Sequence, residues 1–114
     1  MTASKKTDPD LFGPLRYLED PDLWSRDLAL GIAADEGIGE MTEQHWRLVD
    51  QLREHYLTAG NLPVQHTLCH QLDLAPRCII DLFGGLIPVW RISGLPDPGE
   101  EARAYMTNMS EGTR

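Results

Sequence analysis

Between Thr42 and Gly60 the apolar residues Trp46, Val49, Leu52 and Tyr56 fall three or four positions apart, which makes one face of an α-helix and no face of a strand. Thr42 offers a hydroxyl cap, Glu43 complements the positive end of the helix dipole, and Gly60 supplies a left-handed stop. A helix with one apolar stripe must bury it against other elements, and the flanking sequence supplies them. Asp20-Pro21-Asp22 reads as a helix start, followed by Trp24, Leu28 and Ile32 at spacing four and by Gly37 as the end. After Asn61-Leu62-Pro63, residues Val64, Leu68 and Leu72 mark a third helix. A fourth runs from Pro76 to Phe83, with Ile79, Leu82 and Phe83 as its apolar positions and Gly84-Gly85 behind it.

Outside these helices the chain changes character. Residues 1–10 are polar and read as a flexible lead-in. Leu11-Phe12 and Tyr17-Leu18 flank Gly13-Pro14, which predicts a short N-terminal β-hairpin. From Ile92 the Pro- and Gly-rich run reads as an extended C-terminal arm, and 102–114 has no sustained apolar period, so 99–114 is expected to be a flexible tail. The expected fold class is therefore mostly α (α+β): a small helical bundle over residues 11–98, with the hairpin at one end and the arm at the other. A chain of 114 residues has room for one core, and folding should remove about 65% of its surface from water. No disulfide or metal is needed for that.

Charge narrows the function. The net charge is −8, and from Glu19 to Glu43 eight acids stand against the single base Arg26. Such a run is a solvated face that can also steer a basic protein partner, whereas phosphate neutralisation is poorly served. Residues 65–82 have the spacing of a helix-turn-helix pair, with Leu68, small Cys69 and Leu72, then Leu74, then Ile79 and Leu82. Arg77 is the sole candidate for DNA contact there and Asp81 opposes it, so two helices crossing to make core is the favoured reading. No apolar run is long enough to span a bilayer and no secretion signal opens the chain, so a cytoplasmic protein without membrane attachment is expected.

Cys69 and Cys78 are the only cysteines, and in that compartment they are expected to be reduced. His66, Cys69 and His70 share a helix face and Cys78 lies across the turn, but zinc sites rarely take this form, and neither metal nor cofactor is expected. As a nucleophile Cys78 is the better candidate, lying early in its helix beside Arg77, while Cys69 is mid-helix. No phosphate loop, Ser-His-Asp order or paired carboxylate appears, which disfavours an autonomous enzyme.

Taken together, Asp20-Pro21-x-x-Trp24, Glu36-Gly37-Ile38, Met41-Thr42-Glu43-x-His45-Trp46, Leu52-Arg53-Glu54-x-Tyr56, Pro63, Leu82-Phe83 and Ile92-x-Gly94-Leu95-Pro96-x-Pro98 resemble the DsrC/TusE family from about Leu11 to Pro98. The resemblance implies a helical bundle with an N-terminal hairpin and a mobile C-terminal arm. It also implies a role in sulfur trafficking, in which arm cysteines carry persulfide sulfur to sulfite reductase or toward tRNA thiolation. Counted from Gly94, the family's upstream cysteine falls at Trp90 and its terminal one near Glu101. The basic position after Pro63 falls at His66, and the loop after Phe83 is shorter and less basic. Neither an indole nor a carboxylate forms a persulfide. The resulting expectation is a non-enzymatic binding or regulatory protein that docks on sulfur-transfer or sulfite-reductase proteins through Trp90, Arg91, Gly94, Leu95, Pro96 and Pro98. The alternatives are a divergent sulfur carrier using Cys78 or Cys69, and a helix-turn-helix regulator.

Overall fold

The computed structural model describes residues 9–61, 63 and 65–111, with side chains throughout except at 9, 65, 66 and 108–111. The lead-in up to residue 8, Leu62, Val64, the side chain of His66 and residues 112–114 lie outside the described residues.

The second helix, α2 (Glu43–Ala59), follows its sequence closely. Thr42 caps it through its side-chain oxygen, and the His45 ring accepts the Thr42 backbone N–H at 3.0 Å, completing a reciprocal capping box with histidine in the place usually taken by Glu or Gln. Accepting that N–H through Nδ1 leaves Nε2 to donate to the Leu82 carbonyl, 2.9 Å away in the helix Cys78–Phe83, so the cap also ties two helices together. Gly60, at φ +77, closes the far end. Replacing Thr42 with Ala should cost about 1 kcal/mol. It should be seen as a lower urea midpoint with an unchanged slope.

Among the described residues there are six α-helices: α1 Arg26–Asp35, α2 Glu43–Ala59, α3 Gln65–Gln71, α4 Cys78–Phe83, α5 Leu86–Ile92 and α6 Glu100–Glu111. Asp20-Pro21 opens only the 3-10 turn Pro21–Leu23, with the Asp20 carboxylate accepting the Asp22 N–H at 3.0 Å. Ser25 then caps α1 afresh by accepting the Leu28 N–H. The first expected helix is thus split at Trp24, whose backbone is extended.

α5 is the axis of the fold, in contact with α1, α2, α4 and α6. Leu86, Val89, Trp90 and Ile92 are all buried, so it is apolar nearly all round, as a central helix must be. Pro88 lies in its first turn, where a missing N–H breaks no helical bond. Leu28, Ile32, Leu48, Val49, Leu52, Leu68, Ile79 and Phe83 close the core around it.

Three expectations are corrected. The N-terminal β-hairpin does not form: residues 12 and 18 make one isolated antiparallel bridge around a tight turn, and the described residues contain no strand. Arg16 at φ +73 and the Gly13–Tyr17 backbone bond accommodate that turn without a ladder. The extended arm is also absent, because α5 carries the chain as far as Ile92 and only 95–99 is irregular. Finally, α6 occupies most of the stretch expected to be featureless. Glu100 and Glu101 favour its positive end and Met106 anchors it, fully buried.

Candidate functional site

The segment where the resemblance places its chemistry is held by the residues that carried the resemblance. Gly94 turns the chain after α5 at φ +68, and a Cβ there would sit 2.2 Å from Trp24 Cδ1 and 2.9 Å from Trp24 Cβ. Trp24 in turn donates its indole N–H to the Ile92 carbonyl at 2.8 Å and carries the Arg53 guanidinium 4.3 Å above its ring. Arg53 donates to the Ser93 carbonyl at 2.9 Å and reaches the Pro21 carbonyl at 3.4 Å. On the other side Trp90 donates to the Pro96 carbonyl at 2.8 Å and meets Tyr56 edge-on at 5.2 Å. Sequence reasoning did not assign Trp24 and Arg53 to this clamp, although both stood in the motifs.

The proposed docking residues therefore divide. Trp90 and Leu95 are wholly buried, and Ser93 and Gly94 are buried with them, so none presents a face to a partner in this conformation. Arg91 is committed inward: it pairs with Glu36 at 3.2 Å, donates to the Leu15 carbonyl at 2.9 Å and lies 5.0 Å from the Tyr17 ring centre. Burial raises the Tyr17 phenol above its ordinary range and keeps it neutral. Pro96 and Pro98 are half-buried and Asp97 is exposed. A groove of about 370 Å³ opens there, lined by Pro14, Leu15, Tyr17, Glu19, Pro96 and Asp97. Glu101, near which the resemblance places the family's terminal cysteine, is exposed in the first turn of α6.

Asp97 fixes the approach to α6. Its carboxylate is held below the ordinary range first by the Gly99 N–H at 3.0 Å and then by the Arg103 guanidinium, with which it pairs. A carboxylate depressed in the folded state contributes stability above its unfolded value and loses it as pH falls through the folded one. Asp97→Asn should therefore lower the melting temperature at about pH 7, and the difference should shrink in acid as Asp97 itself becomes protonated. Thermal melts of both proteins across an acid pH series check this.

The chain's two cysteines are at the α3–α4 joint. Cys69 is on α3 and Cys78 is the first residue of α4, and the turn between them brings their Cα atoms to 5.9 Å. They are joined in a disulfide, which corrects the expectation of two reduced thiols. That expectation rested on compartment alone, whereas the turn through Asp73, at φ +62, places both side chains within bridging distance. Both are buried, Cys69 completely and Cys78 at 3% exposure. With the sulfurs bonded to each other they offer no thiolate pair to zinc, and His70 is exposed. Among the described residues no group of three or more His, Cys, Asp or Glu is arranged to hold a metal ion. Arg77 is exposed in the turn just before Cys78, and α4 itself carries no basic residue. That is too little cation for a DNA-reading helix.

A family model described as DsrC like protein matches residues 11–100. The chain belongs to the DsrC-like family. Curated relatives named Sulfurtransferase TusE from Salmonella typhimurium and Salmonella typhi are each 45% identical over 91 residues, covering 72% of this chain and 83% of theirs. The same protein of Salmonella choleraesuis matches to the same extent. These relatives overturn one expectation directly. The absence of arm cysteines pointed to a protein without enzymatic activity, yet the similar DsrC-like proteins are named for sulfur transfer. No helix among the described residues is long and apolar enough to cross a membrane. Most of α6 lies beyond the residues that the family model matches, and it packs against α5.

Proposed function

We propose that this DsrC-like chain is a sulfur carrier of a cytoplasmic sulfur relay, accepting sulfane sulfur from a protein persulfide on Cys78. The observation that carries this reading is that the chain's only two cysteines are brought together at one joint; the resemblance places the family's arm cysteine near Glu101, a carboxylate. Relatives named as sulfurtransferases support the transfer chemistry. Of the two sulfurs Cys78 is the less enclosed and follows the exposed Arg77, whose cation favours a thiolate. In the transfer the Cys78 thiolate attacks the outer sulfur of the donor persulfide. A new sulfur–sulfur bond forms on Cys78, the donor's sulfur–sulfur bond breaks, and the donor leaves as a thiolate. No net oxidation occurs.

Partners are then sulfur-relay proteins, one presenting a persulfide and another accepting it. We assign their docking to the groove beside Pro96, Asp97 and Pro98, which Arg91 braces through the Leu15 carbonyl. Glu19 and Asp97 on its wall, with the acidic stretch through Glu43, suit a basic partner face. Transfer should accordingly slow as salt rises from about 0.05 to about 0.5 M, because steering is screened.

The reading is tested with a sulfurtransferase loaded with radiolabelled persulfide and mixed with the reduced chain. Label should move to the wild type and to Cys69→Ser, and not to Cys78→Ser. Label that reaches none of the three defeats the proposal.

A further inference from the structure

We propose that the Cys69–Cys78 disulfide is a redox gate on sulfur acceptance, opened by a dithiol reductant through the exposed α3–α4 turn. This inference rests on the reading of Cys78 as the sulfur acceptor. Three observations carry it. First, the bond consumes both thiols of the chain, so the oxidised form holds no nucleophile that could take sulfane sulfur. Second, it is poorly placed to be a staple. It joins residues only nine apart, a short loop whose closure constrains the unfolded chain least, and the core is organised around α5 rather than around this joint. Third, the turn it encloses is the part of this region most open to solvent. Asp73, Ala75, Pro76 and Arg77 are exposed, and Asp73 adopts a left-handed conformation that side chains seldom take. The Arg47 contact to the Leu72 carbonyl, at 2.9 Å, ties one end of the turn to α2, while the Cys78 end is held by a local bond from the Cys78 N–H to the Ala75 carbonyl at 2.9 Å.

The chemistry balances with a dithiol as the named reductant. One of its thiolates attacks Sγ of Cys78, the Cys69 thiolate leaves, and a mixed disulfide forms. The second thiol of the reductant attacks its own sulfur in that bond, releasing the Cys78 thiolate and closing the reductant into a disulfide. Two electrons and two protons pass to the chain. Burial of both sulfurs requires the turn to open first, and the freed Cys78 then takes sulfane sulfur from a persulfide donor as described above.

The full chain is oxidised with glutathione disulfide, and half is then reduced with dithiothreitol and desalted. Both halves are exposed to cysteine persulfide and read by intact mass. The expected result is a gain of one sulfur atom in the reduced half and none in the oxidised half. A reduced half that takes no sulfur removes the carrier reading itself. Equal loading of both halves leaves the carrier and overturns the gate, and so does finding two free thiols or glutathione adducts after the oxidation step. Hydrogen exchange supplies a readout independent of loading. Amides across 72–77 should exchange faster after reduction of the wild type and show no redox response in a double Cys69→Ser, Cys78→Ser variant. Unchanged exchange in the wild type overturns the turn as the moving part.

Discussion

Trp90→Ala is expected to destabilise the protein by about 3–5 kcal/mol, the largest loss for any single truncation in this core. The indole is completely buried in the one helix that touches α1, α2, α4 and α6, so the space it leaves is walled by several elements and cannot collapse by moving one of them. Its N–H also holds the Pro96 carbonyl, and its ring meets Tyr56 edge-on. Trp90→Phe separates these contributions: most of the volume remains and the hydrogen bond goes, for an expected cost of about 1–2 kcal/mol. Urea denaturation followed by circular dichroism reads both. A Trp90→Ala variant as stable as the wild type would mean that α5 is not the centre of the core.

Gly94→Ala should cost about 3 kcal/mol although it adds a single carbon. Two effects act together. The backbone at φ +68 disfavours any side chain, and the new Cβ would lie within 3 Å of three Trp24 atoms. Trp24 cannot retreat without giving up its bond to Ile92 and the cation stacked on its face. The steric part is separable from the backbone part by a double-mutant cycle. Combined with Trp24→Leu, the glycine substitution should cost less than it does alone, whereas a purely conformational penalty would be unchanged. Because Gly94 leads into the segment that carries the proposed docking groove, the same variant should also weaken sulfur transfer from a protein donor.

What could be read from sequence follows the physics of each segment. The long helix was legible because Trp46, Val49, Leu52 and Tyr56 repeat over many turns and Thr42 and Gly60 mark its ends. α5 was not, since a helix of seven residues, apolar nearly all round and carrying Pro88, has no periodicity to detect. α6 was missed because Ala102, Tyr105, Met106 and Met109 make only a short and weakly apolar series, and its start looks like a Pro- and Gly-rich loop until the Asp97 contacts to Gly99 and Arg103 are in view. The expected hairpin failed for the opposite reason. Its turn signal was sound, but two flanking pieces of two residues cannot sustain a ladder. In the candidate site tertiary structure shows what the motif residues do: Trp24, Arg53 and Gly94 fasten the segment that follows α5. The disulfide was invisible, because pairing depends on a turn that spacing does not define.

The central claim is that this chain carries sulfur on Cys78. The most direct measurement is peptide mapping by mass spectrometry of the reduced full-length protein after exposure to a persulfide donor and alkylation of the persulfide. One added sulfur on the peptide containing Cys78, retained in Cys69→Ser and lost in Cys78→Ser, is the predicted result. Sulfur found on no peptide, with a known carrier loaded in parallel, would contradict it.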